Sequence, residues 1–221
     1  MKYRTVFACL LLLAGAACRK SEIDQKPAAE VSAASETGAT SDTAATQPAA
    51  GTVKSNVIKD KSSIDFVAAK VTRDHKGKFN NFDGGIEYAG GKPVGVSFDI
   101  DLSSVETDTP KLTDHLKTPD FFDVAKNPKA TFTSTSLTEA PAGAPAGTTH
   151  QLRGTLDLHG VKKDLTIPVK AETTAEGVRT TSEFTINRQD WGISYKGMAD
   201  DLIKDNVLIK LNLLFPPPPA S

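Results

Sequence analysis

Val94-Gly95-Val96-Ser97-Phe98-Asp99-Ile100-Asp101-Leu102 alternates apolar with small or acidic residues without a break. A period of two sends Val94, Val96, Phe98, Ile100 and Leu102 to one face of an extended strand. One apolar face opposite one solvated face is what an antiparallel sheet with a single buried side requires. The pattern continues outward in both directions. Upstream, Val53 to Ile58 reads as a first strand, and Ile64, Phe66 and Ala68 share a face opposite Asp65. Arg73 to Lys78 is polar and contains Gly77, so it reads as a turn or irregular connection. Phe79 and Phe82 bracket Asn80-Asn81, and Gly84-Gly85-Ile86-Glu87-Tyr88 continues as a bent or bulged strand.

Downstream, a strand over 129–137 carries Phe132, and Leu152, Leu156 and Leu158 alternate with Arg153, Thr155 and Asp157. Leu165 to Ala171 holds Ile167 beside Pro168, and a proline inside a strand demands an edge or bulged position. Phe184 and Ile186 mark the next strand, and Val207, Ile209, Leu211 and Leu213 the last. The sum is an all-β chain of about eight antiparallel strands of roughly eight to ten residues, a number that commonly closes into a barrel.

Thr113 to Phe132 interrupts this pattern. Asp114-His115-Leu116 suits a short helix, which Pro119 ends because the residue before a proline leaves the helical region. Phe121 and Phe122 then lie between Asp120 and Asp123. Adjacent rings cannot share one face of a strand, so a folded loop carrying both into the interior is expected. Asn127-Pro128 turns the chain back into strand. A short helix and loop therefore closes one mouth of the barrel.

The two ends of the chain have a different composition. Lys2 and Arg4, an apolar run from Val6 to Leu13 and small residues up to Ala17 make a secretory signal over residues 1–17. The run is well short of the ~20 residues of a spanning helix. Cys18, directly after Leu13-Ala14-Gly15-Ala16-Ala17, resembles the lipidated first residue of a bacterial lipoprotein. Arg19, in place of an aspartate, then points to the outer membrane under the sorting rule of enteric bacteria, with the protein facing the periplasm. Residues 18–51, rich in Ala, Ser, Thr, Glu and Gln, are expected to form the lipidated cysteine and a disordered linker. The barrel domain spans 52–215, with a proline-rich tail over 216–221. Cys18 is the one cysteine left after removal of the signal, so no disulfide framework is expected. A net charge of −1 with interspersed signs gives no basic stripe for nucleic acid.

No catalytic constellation emerges: there is no nucleophile elbow, phosphate loop or His-Glu-x-x-His pattern, and the four histidines lack ligand spacing. Asp114, His115, Asp120 and Asp123 could hold a metal, but fastening the mouth segment by hydrogen bonds is the simpler role for Asp114 and His115. Arg188 beside Asp190 suits either an internal pair or a ligand head group at the mouth. His159 before Gly160 reads as a turn residue.

Five stretches in order carry a resemblance: Gly77 to Ile86, Asp114 to Asp123, Asn127 to Phe132, Arg153 to Lys163, and Asn187 to Ile193. They resemble the YceI-like family of polyisoprenoid-binding proteins of the bacterial envelope. The resemblance implies an extended, lipocalin-like eight-stranded barrel with an apolar tunnel for an isoprenoid tail, no cofactor and no catalysis. The first strand departs from the family, having no aromatic residue over 52–57. In such a tunnel the apolar positions Phe66, Phe79, Phe82, Ile86, Val96, Phe98, Ile100, Phe121, Phe122, Phe132, Leu156, Leu158, Ile167, Phe184, Ile186 and Trp191 would contact ligand. Without it they would read as ordinary core. The expected function is to bind, sequester or transport a polyprenyl or quinone-like lipid, with the membrane engaged through Cys18 and oligomeric state left open. The alternatives are a filled barrel serving as an envelope interaction module and, more remotely, an isomerase or metal-dependent enzyme built on His115.

Overall fold

A computed structural model describes residues 21–34, 52–198 and 201–217. The chain forms β1 (Glu30–Ala33), β2 (Thr52–Asn56), β3 (Ser63–Ala69), β4 (Asp74–Phe79), β5 (Phe82–Ala89), β6 (Lys92–Asp101) and β7 (Val105–Thr107). The helix α1 (Pro110–Leu116) follows, then β8 (Lys129–Glu139), β9 (His150–Leu158), β10 (Val161–Thr174) and β11 (Gly177–Asn187). A small hairpin of β12 (Gly197–Met198) and β13 (Asp201–Leu202) precedes the closing strand β14 (Asn206–Phe215).

One 12-stranded antiparallel sheet runs in the order β2-β5-β6-β8-β9-β10-β11-β14-β3-β4-β7, with β1 added on β10. It curls far enough for β5 to approach β14. Just past β2, the Val57 N–H donates to the Gly84 carbonyl (2.9 Å) and the Ile58 N–H to the Leu214 carbonyl (2.8 Å), joining β5 to β14. The all-β, barrel-like class agrees with the alternation, whereas the strand count exceeds the expected eight. The excess comes from short strands that alternation cannot register. β7 has three residues, and β4, expected as a turn, is a polar strand held by ladder bonds to β3 and β7. Backbone pairing does not depend on side-chain polarity, so a polar stretch between two strands can still be a strand.

β10 shows why Pro168 is tolerated. One edge of β10 pairs with β9 from Val161 to Val169. Its other edge pairs with β11 only over Lys170 to Thr174, and with β1 over Lys163 to Thr166. Pro168 falls in the interval where that edge changes partner, a place that needs no N–H donor.

The expectation of a disordered linker over 18–51 needs correction for residues 21–34. Glu22–Gln25 forms a 3₁₀ turn, Pro27 and Ala29 exchange backbone hydrogen bonds with Thr185 (2.9 and 2.8 Å), and β1 follows. Ile23 is 2% exposed, in a cluster with Val67, Ala69 and Leu208. Composition argues against a core of the segment's own, but an edge strand needs only a vacant edge and one or two apolar anchors. The rest of that linker, the signal segment, Cys18 and the end of the tail beyond residue 217 lie outside the described residues.

Candidate functional site

Inward-facing side chains from most of the strands surround a cavity of about 290 Å³ whose wall is almost wholly hydrocarbon. Two apolar clusters make the ends. One gathers Leu102, Leu116, Phe121, Leu158, Ile186 and Ile193 near α1, and the other gathers Ile64, Ile86, Tyr88, Phe98, Leu213 and Phe215. Phe79, Val96, Ile100, Phe132 and Leu211 pack against both. The side chains do not interlock along the axis, so the interior is hollow.

Glycines keep it so. A methyl group on Gly77 would lie 2.2 Å from Phe66 Cζ, one on Gly84 2.4 Å from Phe98 Cδ1, and one on Gly154 2.5 Å from Phe132 Cζ. Each ring lies down over the bare backbone of a neighbouring strand instead of standing into the lumen. Phe66 also meets Phe79, which meets Phe122, with ring centroids 5.6 and 5.9 Å apart.

The mouth segment is built by capping and turn chemistry. Pro110 starts α1, where its missing N–H costs nothing. After α1 the Phe122 N–H returns to the Leu116 carbonyl (3.0 Å) and the Asp123 N–H to the Thr118 carbonyl (2.9 Å). Asp123 adopts φ 46° and pairs with Lys126 at 3.0 Å. This fold sends Leu116, Phe121 and Phe122 to the cavity. His115 stays at the rim, 2.8 Å from Asp120 through Nε2 and edge-on to both Phe121 and Tyr195 at 5.0 Å. Asp114 is exposed.

Arg188 reaches the cavity wall but is 5% exposed and tied to the fold. It donates to the carbonyls of Ile193 and Lys204 (2.5 and 3.2 Å) and to Asp205 (3.2 Å). Burial pushes the guanidinium's pKa down, and the Asp205 carboxylate pulls it back. Its partner is therefore Asp205, not the neighbouring Asp190. His159 occupies a turn at φ 54°.

Of the sixteen apolar positions expected at a ligand, the structure brings fourteen to the cavity wall. Trp191 is fully buried elsewhere, its indole Nε1 donating to the Leu156 carbonyl at 3.3 Å, and Phe82 packs in the cluster with Val57 without lining the cavity. Ile64, Tyr88, Leu116, Leu165, Leu211 and Leu213 line it although not singled out. The strand alternation itself was the signal that could have found most of them. Among the described residues no group of three His, Cys, Asp or Glu side chains is placed to hold a metal ion.

Residues 56–215 match the YceI-like domain. The chain belongs to the YceI-like family. A UPF0312 protein of Pseudomonas aeruginosa is 38% identical over 96 residues, 42% of this chain and 47% of the relative. Protein YceI of Escherichia coli O157:H7 is 35% identical over a stretch covering the same shares. The match thus spans about half the length of these curated relatives. Two solved structures share the fold. BcnA of Burkholderia cenocepacia has a TM-score of 0.62 at 23% identity, covering 71% of this chain and 98% of its own. A polyisoprenoid-binding domain from Saccharophagus degradans, implicated in plant cell wall breakdown, has 0.57 at 22% identity, covering 74% and 98%.

Proposed function

We propose that this YceI-like barrel binds the tail of an isoprenoid lipid and carries or sequesters it at the bacterial envelope, without catalysis. The observation that carries this reading is the hydrocarbon-lined cavity, whose rings are laid against the wall by Gly77, Gly84 and Gly154. Family membership and a structural neighbour described as polyisoprenoid-binding support it. A branched, flexible tail suits a lumen with many apolar contacts and few polar ones.

Size limits the guest. An apolar cavity of about 150 Å³ accepts one benzene, so 290 Å³ corresponds to about a dozen carbons, or two to three isoprene units. At ~0.8 kcal/mol per carbon group, burying them contributes roughly 8–12 kcal/mol gross. Association costs ~4–15 kcal/mol, which leaves micromolar affinity or weaker for so short a tail. A longer tail requires the interior to widen or part of the tail to remain outside. Cys18, in this reading, is acylated and anchors the domain to the outer membrane.

Purification from the native source followed by extraction and mass spectrometry tests the assignment. A prenyl lipid at near one-to-one stoichiometry is the expected result, and its repeated absence would remove the carrier function. Replacing Leu156 on the cavity wall by Trp should lower the lipid content at least about tenfold while the β-sheet circular dichroism persists.

A further inference from the structure

β10 and β11 form a hairpin that opens. They pair from Lys170 with Thr181 to Thr174 with Gly177, and from there toward Val161 and Asn187 the two strands share no ladder bonds. Leu165, Ile167, Phe184 and Ile186, on the parted stretches, all line the cavity. A gap in the wall at this place would lead straight into the lumen. It is filled by residues 27–33: Ala28 bridges Thr185 in parallel, and β1 pairs antiparallel with Lys163 to Thr166. Ala29 and Val31 pack against the same apolar cluster as the four wall residues.

We propose that the segment 21–34 is a displaceable side door of the barrel, and that the lipid tail enters and leaves laterally between β10 and β11. The proposal rests on the carrier reading above. The strap is lightly held. β1 has four residues against fourteen in β10. The flanking attachments are surface contacts: Glu22 with Lys210, Asp24 with Lys204 at 2.8 Å, Lys26 with Glu183, and Ser21 with Asp74 at 3.0 Å. Such pairs are weak and screened by salt. Ile23 is the single fully buried apolar anchor of the segment. The mouth at α1 is a poorer entrance, because its segment buries Leu116 and Phe121 in the core and holds its own shape through backbone bonds from residues 121–124 to residues 116–118.

A reversible lock tests this. Glu30 and Thr166 are directly opposed across β1 and β10, at a separation suited to a disulfide. In the full-length protein with Glu30→Cys and Thr166→Cys, uptake of a fluorescent prenyl probe from phosphatidylcholine vesicles is followed in oxidised and reduced forms. Oxidation should slow uptake and release by at least about tenfold, because an open state populated at the ~0.1–10% level is removed. Reductant should restore the rate, with the same amount of probe bound at equilibrium. Ile23→Ser should act in the opposite direction, speeding release. Equal rates in both redox forms would overturn the door while leaving the carrier intact. Absence of uptake in either form, with the sheet intact by circular dichroism, would overturn both.

Discussion

Gly77, Phe66 and Phe79 illustrate how single positions set the shape of the interior. Phe66 stands opposite Gly77 across β3 and β4, and its ring occupies the volume a methyl group at 77 would need. Gly77→Ala must therefore lift the Phe66 ring into the lumen or push β4 away. Overpacking of this kind costs ~1–3 kcal/mol. The variant should show a lower denaturant midpoint and, if the ring moves inward, reduced occupancy by lipid. An unchanged midpoint would mean that the ring is free to move without cost. The neighbouring Gly154 and Phe132 obey the same rule, so the effect should recur there.

At the scale of elements, the strap and the mouth loop differ in what fastens them. The mouth adds backbone bonds and buried rings to its His115–Asp120 and Asp123–Lys126 pairs. The strap relies on carboxylates. The hydrogen bond from Lys210 holds Glu22 below its ordinary value of 4.5, outweighing the opposing effect of burial. A depressed carboxylate contributes attachment at pH above its ordinary value and loses it as pH falls through the folded value. Strap protection should accordingly be full at neutral pH and weaken in acid. Hydrogen exchange read at the Ala29 amide, corrected for intrinsic rate, should lose protection as pH falls below about 4.5. The Leu211 amide, in the middle of β14 between β11 and β3, should keep its protection over the same interval. Parallel loss at both amides would show that the strap has no separate stability.

For the molecule as a whole, the strap lies between Cys18 and the rest of the barrel. Ser21 is three residues from Cys18, so at most about 11 Å of extended chain separates them. An acylated Cys18 would hold the β4–β3–β14 side of the barrel, where Ser21 meets Asp74 and Ile23 packs on Val67, Ala69 and Leu208, near the bilayer. Cys18→Ser should move the protein from the membrane fraction to the soluble periplasmic fraction, and the N-terminal peptide should lose its acyl mass. A soluble wild-type protein with an unmodified Cys18 would contradict the anchor without touching the cavity.

The alternation of Val96 to Leu102 (Val94, 52% exposed at the register shift opposite Glu87 and Tyr88, falls outside it), and of Ile64, Phe66, Leu152 and Leu156 in their own strands, determined the sheet and the side of each strand that faces inward. It did so because a period of two fixes side-chain direction whatever the neighbouring strand is. The prolines and the Phe121-Phe122 pair likewise determined a folded mouth segment, since their constraints are local. Tertiary structure alone decided that the inward faces stop short of meeting, because that depends on which ring falls opposite Gly77, Gly84 or Gly154 across the sheet. It also decided that residues 21–34 join the wall: an edge left open by the parting of β10 and β11 offers backbone bonds to a segment too poor in apolar residues to fold by itself. Trp191 belongs to the same class, since its place behind Leu156 follows from packing between distant segments and not from its position in a strand.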